Sequence, residues 1–167
     1  MYTASMSILP YVTPAPTPKT KDVSRIATFY AGIILVMVVA QLFTFESFVL
    51  LFRDFGFPFG PQYPVFLSAF LVICEVFALP FLLRMPLSPA FRWVSIVCGW
   101  LVAALWFKIT VWVVFSETLF NNVGFIGTVV DTMPGWWAIF MSLAFGILAA
   151  WSTWGMWPGK RSAQRKK

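Results

Sequence analysis

The stretch "SAFLVICEVFALPFLL", Ser68–Leu83, decides the fold. Apart from Ser68 and Glu75 it is an unbroken apolar run, longer than a buried strand or a soluble core helix needs. Crossing the hydrocarbon core of a bilayer takes about 20 such residues at 1.5 Å per residue. Glu75, near the centre of the run, is the one feature that a simple membrane anchor does not require.

The rest of the chain agrees with that reading. Of 167 residues, 60% are hydrophobic and only 11% are charged. Soluble domains are about half apolar and about a quarter charged. Apolar runs recur at residues 26–45, 65–83, 93–115 and 136–157. In lipid a backbone must satisfy its own hydrogen bonds, so each run is expected to be a helix. The fold class that follows is an all-α integral membrane protein, a bundle of four transmembrane helices. "FGFPFGPQYP" and "TMPGWW" supply turns before the second and fourth spans. Pro80 is expected to kink the second span or thin its hydrogen-bond ladder. After the first span, "FTFESFVLLFRDFG" keeps Phe45, Phe48, Leu51 and Phe52 at helical spacing. It reads as a helix extension or a short interfacial helix, or else as a longer, tilted first span.

Residues 1–24 contain "TPAPTPKTK" and no continuous apolar core. They read as a disordered Pro-rich arm rather than a secretory signal peptide. The membrane domain is expected over 25–157, followed by a basic tail, 158–167. Lys19, Lys21, Arg25, Arg84, Arg92 and the five Lys and Arg residues of the tail fall on one side of four spans, and Arg53 alone on the other. By the positive-inside rule both termini are cytoplasmic, in a cell inner (plasma) membrane. The net charge of +6 is therefore a topology signal. Its basic residues are not interleaved with aromatics along a helix, and no nucleic-acid partner is expected; the partner is the lipid bilayer.

Glu75 and Lys108 are the ionisable residues inside the spans. Each costs about 2.5–3.5 kcal/mol at a helix centre, so such groups turn inward and find partners. Counted from the outer boundary, Glu75 lies about 15 Å deep and Lys108 about 10 Å deep. The difference is within reach of a lysine stem, and Gln41 lies in the same outer half. The candidate intramembrane polar site is therefore Glu75, Lys108 and Gln41. Three structural readings stand beside a functional one: a staple between helices two and three, a Lys108 that snorkels outward, or a Glu75 carried as the neutral acid. The functional reading is a polar pocket that handles a quinone carbonyl or a proton. Chemistry of other kinds has few residues to use. The chain has no histidine, the commonest metal ligand, and no metal site is expected. Cys74 and Cys98 lie within apolar runs without a C-x-x-C motif and read as packing residues. Ser142, Gly146 and Ala150 form a small-xxx-small ladder suited to packing within the helices of this chain. The loop "SETLFNNVGFIGTVVDTMPGWW" reads as a connection.

Four spans, the aromatic "FESFVLLFRDFGFP" and the glutamate in "ICEVFALPFLL" resemble the DoxX family of small membrane proteins. "NNVGFIG" resembles the Asn/Gly-rich turn of the related MauE-like proteins. The resemblance covers residues 25–157 and implies a membrane component of redox systems. DoxX-like proteins are associated with membrane oxidoreductase assemblies, the DoxD type with a thiosulfate:quinone oxidoreductase, and MauE-like proteins with maturation of a periplasmic dehydrogenase. Here Val123, Phe125 and Ile126 stand where MauE-like turns carry cysteines, which counts against thiol chemistry and against the vitamin K epoxide reductase type. Of the family pattern, Glu75 carries over. The expectation is a non-catalytic membrane subunit or anchor of a respiratory or redox-protective complex, with a membrane or periplasmic oxidoreductase as partner. The rivals are a small quinone-binding module or oxidoreductase and a small-solute carrier. No cofactor motif is visible, with quinone the cofactor that the polar residues would suit.

Overall fold

A computed structural model describes residues 14–116 and 120–157. Residues 1–13 of the expected arm, Glu117 in the loop before the last helix, and the basic tail lie outside the described residues. The described chain is all-helical: α1 Lys21–Phe43, α2 Phe45–Asp54, α3 Tyr63–Leu82, α4 Pro89–Phe115 and α5 Trp136–Gly155. Of these, α1, α3, α4 and α5 are long and apolar enough to cross a membrane.

Two helices start earlier than hydropathy alone suggests, because polar residues cap them. Thr20 Oγ1 accepts the Val23 amide at 3.3 Å, so α1 begins at Lys21 and takes in residues 21–24 of the expected arm. Asp22 in that first turn suits the positive end of the helix. Ser88 Oγ accepts the Phe91 amide at 3.3 Å, with Pro89 in the first turn, so α4 begins before Trp93. Between α1 and α3, α2 is a separate helix rather than a longer first span. The break falls at Thr44, whose hydroxyl turns back to the Ala40 carbonyl at 2.9 Å.

Around the molecule, α1 packs on α3, α3 on α4, α4 on α5 and α5 on α1. Neighbours run in opposite directions. The Lys19 amide meets the Gly155 carbonyl, joining the start of α1 to the end of α5. Across the diagonal, the Tyr30 hydroxyl donates to the Gly99 carbonyl at 3.4 Å. The helices α1 and α5 approach closely at Gly155, where a Cβ would overlap the Val23 side chain. The Ser142–Gly146–Ala150 ladder is not that contact: a Cβ added at Gly146 would meet nothing within 4 Å. Ser142 is buried and its hydroxyl lies 3.1 Å from Thr110 Oγ1 on α4.

Pro80 leaves α3 continuous to Leu82, and the disturbance is answered from α4. The Phe81 amide donates to Ser95 Oγ at 3.1 Å, and that hydroxyl donates to the Ala78 carbonyl at 3.3 Å. A proline removes one helical donor and displaces its neighbours; the buried serine restores a partner. Cys74 and Cys98 are buried free thiols. The outward-facing surface of the long helices carries Phe29, Phe66, Phe140, Ile147 and Trp154, all exposed. In water such a surface would be an aggregation liability; in lipid it is the contact surface.

Candidate functional site

Glu75 sits on α3 with no exposed surface. Its Oε1 accepts two hydrogen bonds, one from Trp106 Nε1 on α4 at 2.9 Å and one from Gln41 Nε2 on α1 at 3.4 Å. The same Gln41 amide donates to the Phe125 carbonyl at 3.2 Å. One carboxyl thus ties α1, α3 and α4 to the segment before α5. Two oxygens, Glu75 Oε2 and Gln41 Oε1, have no hydrogen-bond partner among the described residues.

The contact at Phe125 depends on a turn built by Asn122. Its Oδ1 accepts from the Gly124 amide at 2.9 Å, the Thr132 amide at 3.1 Å and the Thr132 hydroxyl at 2.8 Å. Its Nδ2 donates to the Gly127 carbonyl at 3.2 Å and to Asp131 Oδ1 at 3.4 Å. Gly127 adopts φ 56°, and a Cβ there would press on Thr44 Oγ1 and on the backbone of Ala40 and Gln41. Glycine alone gives both the left-handed backbone and the close approach. The turn therefore seats against α1, and Phe125 is buried among Trp106, Phe145 and Trp137, with ring centroids 4.6, 5.7 and 6.0 Å away. Non-helical backbone at membrane depth is tolerated where protein covers it, as here. The segment is more than the connecting loop that its composition suggests.

Gln41 and Glu75 meet as their depths suggest, but the proposed Glu75–Lys108 ion pair is not formed. Lys108 is exposed on α4, its Nζ 5.5 Å from the centre of the Phe59 ring. Helix geometry gives the reason. Trp106 points at Glu75, and two further residues at 3.6 per turn rotate a side chain about 200° around the axis. Lys108 instead lines an apolar surface groove with Phe107, Val111 and Trp112. Sequence reasoning did not single out Trp106. Its signal was available: a tryptophan amid a span, away from the interfaces, carries an N–H that needs an acceptor when buried.

Beyond Phe125 lies a groove of about 620 Å³ on the outer face between α1 and α5, lined by Gly32, Ile33, Met37, Phe125, Trp137 and Phe145 among others. Phe125 is shared: its ring walls the groove and its carbonyl holds Gln41. The arrangement can bind and orient a polar group at two buried oxygens, and it can hold three helices in register. Among the described residues no group of three or more His, Cys, Asp or Glu side chains is placed to hold a metal ion. No family model, no curated protein and no solved structure matches this chain.

Proposed function

We propose that this chain is a multi-pass membrane protein of DoxX-like type, a four-helix bundle with cytoplasmic termini in an inner membrane, serving as a non-catalytic subunit or anchor of a redox complex. The observation that carries this reading is the enclosure of Glu75: its carboxyl has no exposed surface and its Oε1 is held by both Trp106 and Gln41. A buried acid of this kind fixes how α1, α3 and α4 sit together, which is what a scaffold for a partner requires. The redox assignment comes from the resemblance, and the asymmetry in Lys and Arg supports the sidedness. The test is purification from native membranes in mild detergent, followed by mass spectrometry. A stoichiometric oxidoreductase partner, retained by a folded Glu75→Gln variant, is the expected outcome. A chain that purifies alone under conditions that preserve other membrane complexes refutes it.

A second reading rests on Glu75 Oε2 and Gln41 Oε1, two buried oxygens without partners. The two hydroxyls of a quinol, the reduced form of a quinone, would donate to them if its headgroup entered from the groove past Phe125, in a binding module rather than an anchor. That reading requires quinone to co-purify and to be lost in Gln41→Leu without loss of fold.

A further inference from the structure

At the end of the molecule where α1 begins and α3 finishes, a cleft of about 480 Å³ is walled by four cationic side chains, Lys19, Lys21, Arg25 and Arg84, with Thr20 and Ser24 between them. Opposing charge is sparse. Asp22, in the same turn, lies 3.9 Å from Arg25, and both side chains of that pair are largely exposed, so the attraction is weak. Lys19 is held in place, its Nζ 4.9 Å from the centre of the Trp154 ring. The start of the 23-residue α1 adds its own partial positive charge to the cleft.

Arg84 is the telling residue. It follows α3 with φ 57°, the left-handed region that glycine takes freely and other residues rarely do. At such a helix end glycine is the usual occupant. Here an arginine occupies it, and its side chain completes the basic wall.

The surroundings indicate what would neutralise these charges. Trp154, on which Lys19 rests, belongs to the last turn of a helix long and apolar enough to cross a membrane, and Trp93 and Trp157 pack together at 5.0 Å. Tryptophans gather at the level of lipid headgroups. Basic pockets between membrane helices at that level hold anionic headgroups. We propose that this cleft binds the phosphate of an anionic phospholipid from the adjoining leaflet. The proposal takes from the reading above only that the helices cross a bilayer, and holds whether or not a redox partner exists.

The test uses the full chain in nanodiscs of phosphatidylcholine alone or mixed with phosphatidylglycerol. Lipid retained after extraction is counted by native mass spectrometry, and thermal unfolding is followed in parallel. The wild type should retain phosphatidylglycerol in preference to phosphatidylcholine and melt higher in the mixed discs. Each cation near a charged membrane surface contributes enough that Lys21→Gln with Arg84→Gly should weaken retention by about thirtyfold. Arg84→Gly suits the left-handed backbone, so that loss is not a folding defect. Arg53→Gln, on α2 and away from the cleft, should leave retention unchanged. Equal retention of the two lipids, or an unchanged double variant, overturns the proposal. So does an equal loss in Arg53→Gln, or an equal thermal shift from inorganic phosphate in phosphatidylcholine discs.

Discussion

Replacing Trp106 by Phe removes a single N–H from the interior and leaves an aromatic ring to pack against Phe125. That N–H is the shorter of the two donors to Glu75 Oε1, at 2.9 Å against 3.4 Å from Gln41. Interhelical hydrogen bonds in membrane proteins contribute about 0.6 kcal/mol on average and about 1.7 kcal/mol at most. A short bond to a carboxyl oxygen with no exposed surface belongs near the upper figure, since bonds to charged or strongly polar acceptors exceed neutral ones. Each single change strands a partner. Trp106→Phe leaves Glu75 Oε1 with the longer bond, and Glu75→Met leaves the Trp106 N–H buried without an acceptor. The double variant strands neither of them. The expected coupling energy of that double-mutant cycle is therefore about 1.5 kcal/mol, roughly a factor of ten in the unfolding equilibrium. Reversible unfolding of the purified protein in mixed micelles measures it. If the two substitutions add to within about 0.3 kcal/mol, the bond does not tie α3 to α4, and the scaffold role assigned to Glu75 fails with it.

Three further outcomes test the packing. Gly155→Ala places a methyl group on Val23 and should cost about 1–3 kcal/mol, recovered in part by Val23→Ala, as read by thermal unfolding in detergent. Gly127→Ala forces a left-handed alanine against Thr44 and should cost at least about 1–2 kcal/mol, with new protease cleavage between residues 120 and 135 as the direct sign that the turn has lifted. Cys74 and Cys98 are buried and free, so a membrane-permeant maleimide should leave the folded protein unlabelled and add two labels after denaturation.

Hydropathy reads along an axis, and what it captured is axial. The four long apolar helices and the level at which Gln41 meets Glu75 follow from counting residues. It carries little about direction around a helix when every face is apolar, because lipid and protein interior select the same side chains. Lys108 shows the cost: its depth was right for Glu75 and its azimuth was about 200° away from Trp106, which makes the bond instead. The polar residues that cap helices, Thr20 and Ser88, moved the starts of α1 and α4 outward from the apolar runs. The turn at Phe125 was hidden for a different reason. Its shape comes from five local bonds made by one asparagine, but its seat depends on Gly127 pressed against α1 and on Gln41 bonded to Phe125, contacts across more than eighty residues of chain that no local pattern encodes.

That separation has a consequence for how the protein is made. Glu75 is synthesised 31 residues before Trp106, and Gln41 is synthesised 84 residues before Phe125. At about 5–20 residues per second, the ribosome delivers the Trp106 donor to Glu75 about 2–6 s later and the Phe125 acceptor of Gln41 about 4–17 s later. During that interval α1 and α3 carry polar groups whose final partners do not yet exist. Insertion machinery that shelters nascent helices from lipid until α4 and the Phe125 turn arrive would be engaged longest by this chain at α1, and a nonsense truncation before residue 106 should leave a fragment marked for degradation, its buried carboxyl held by Gln41 alone.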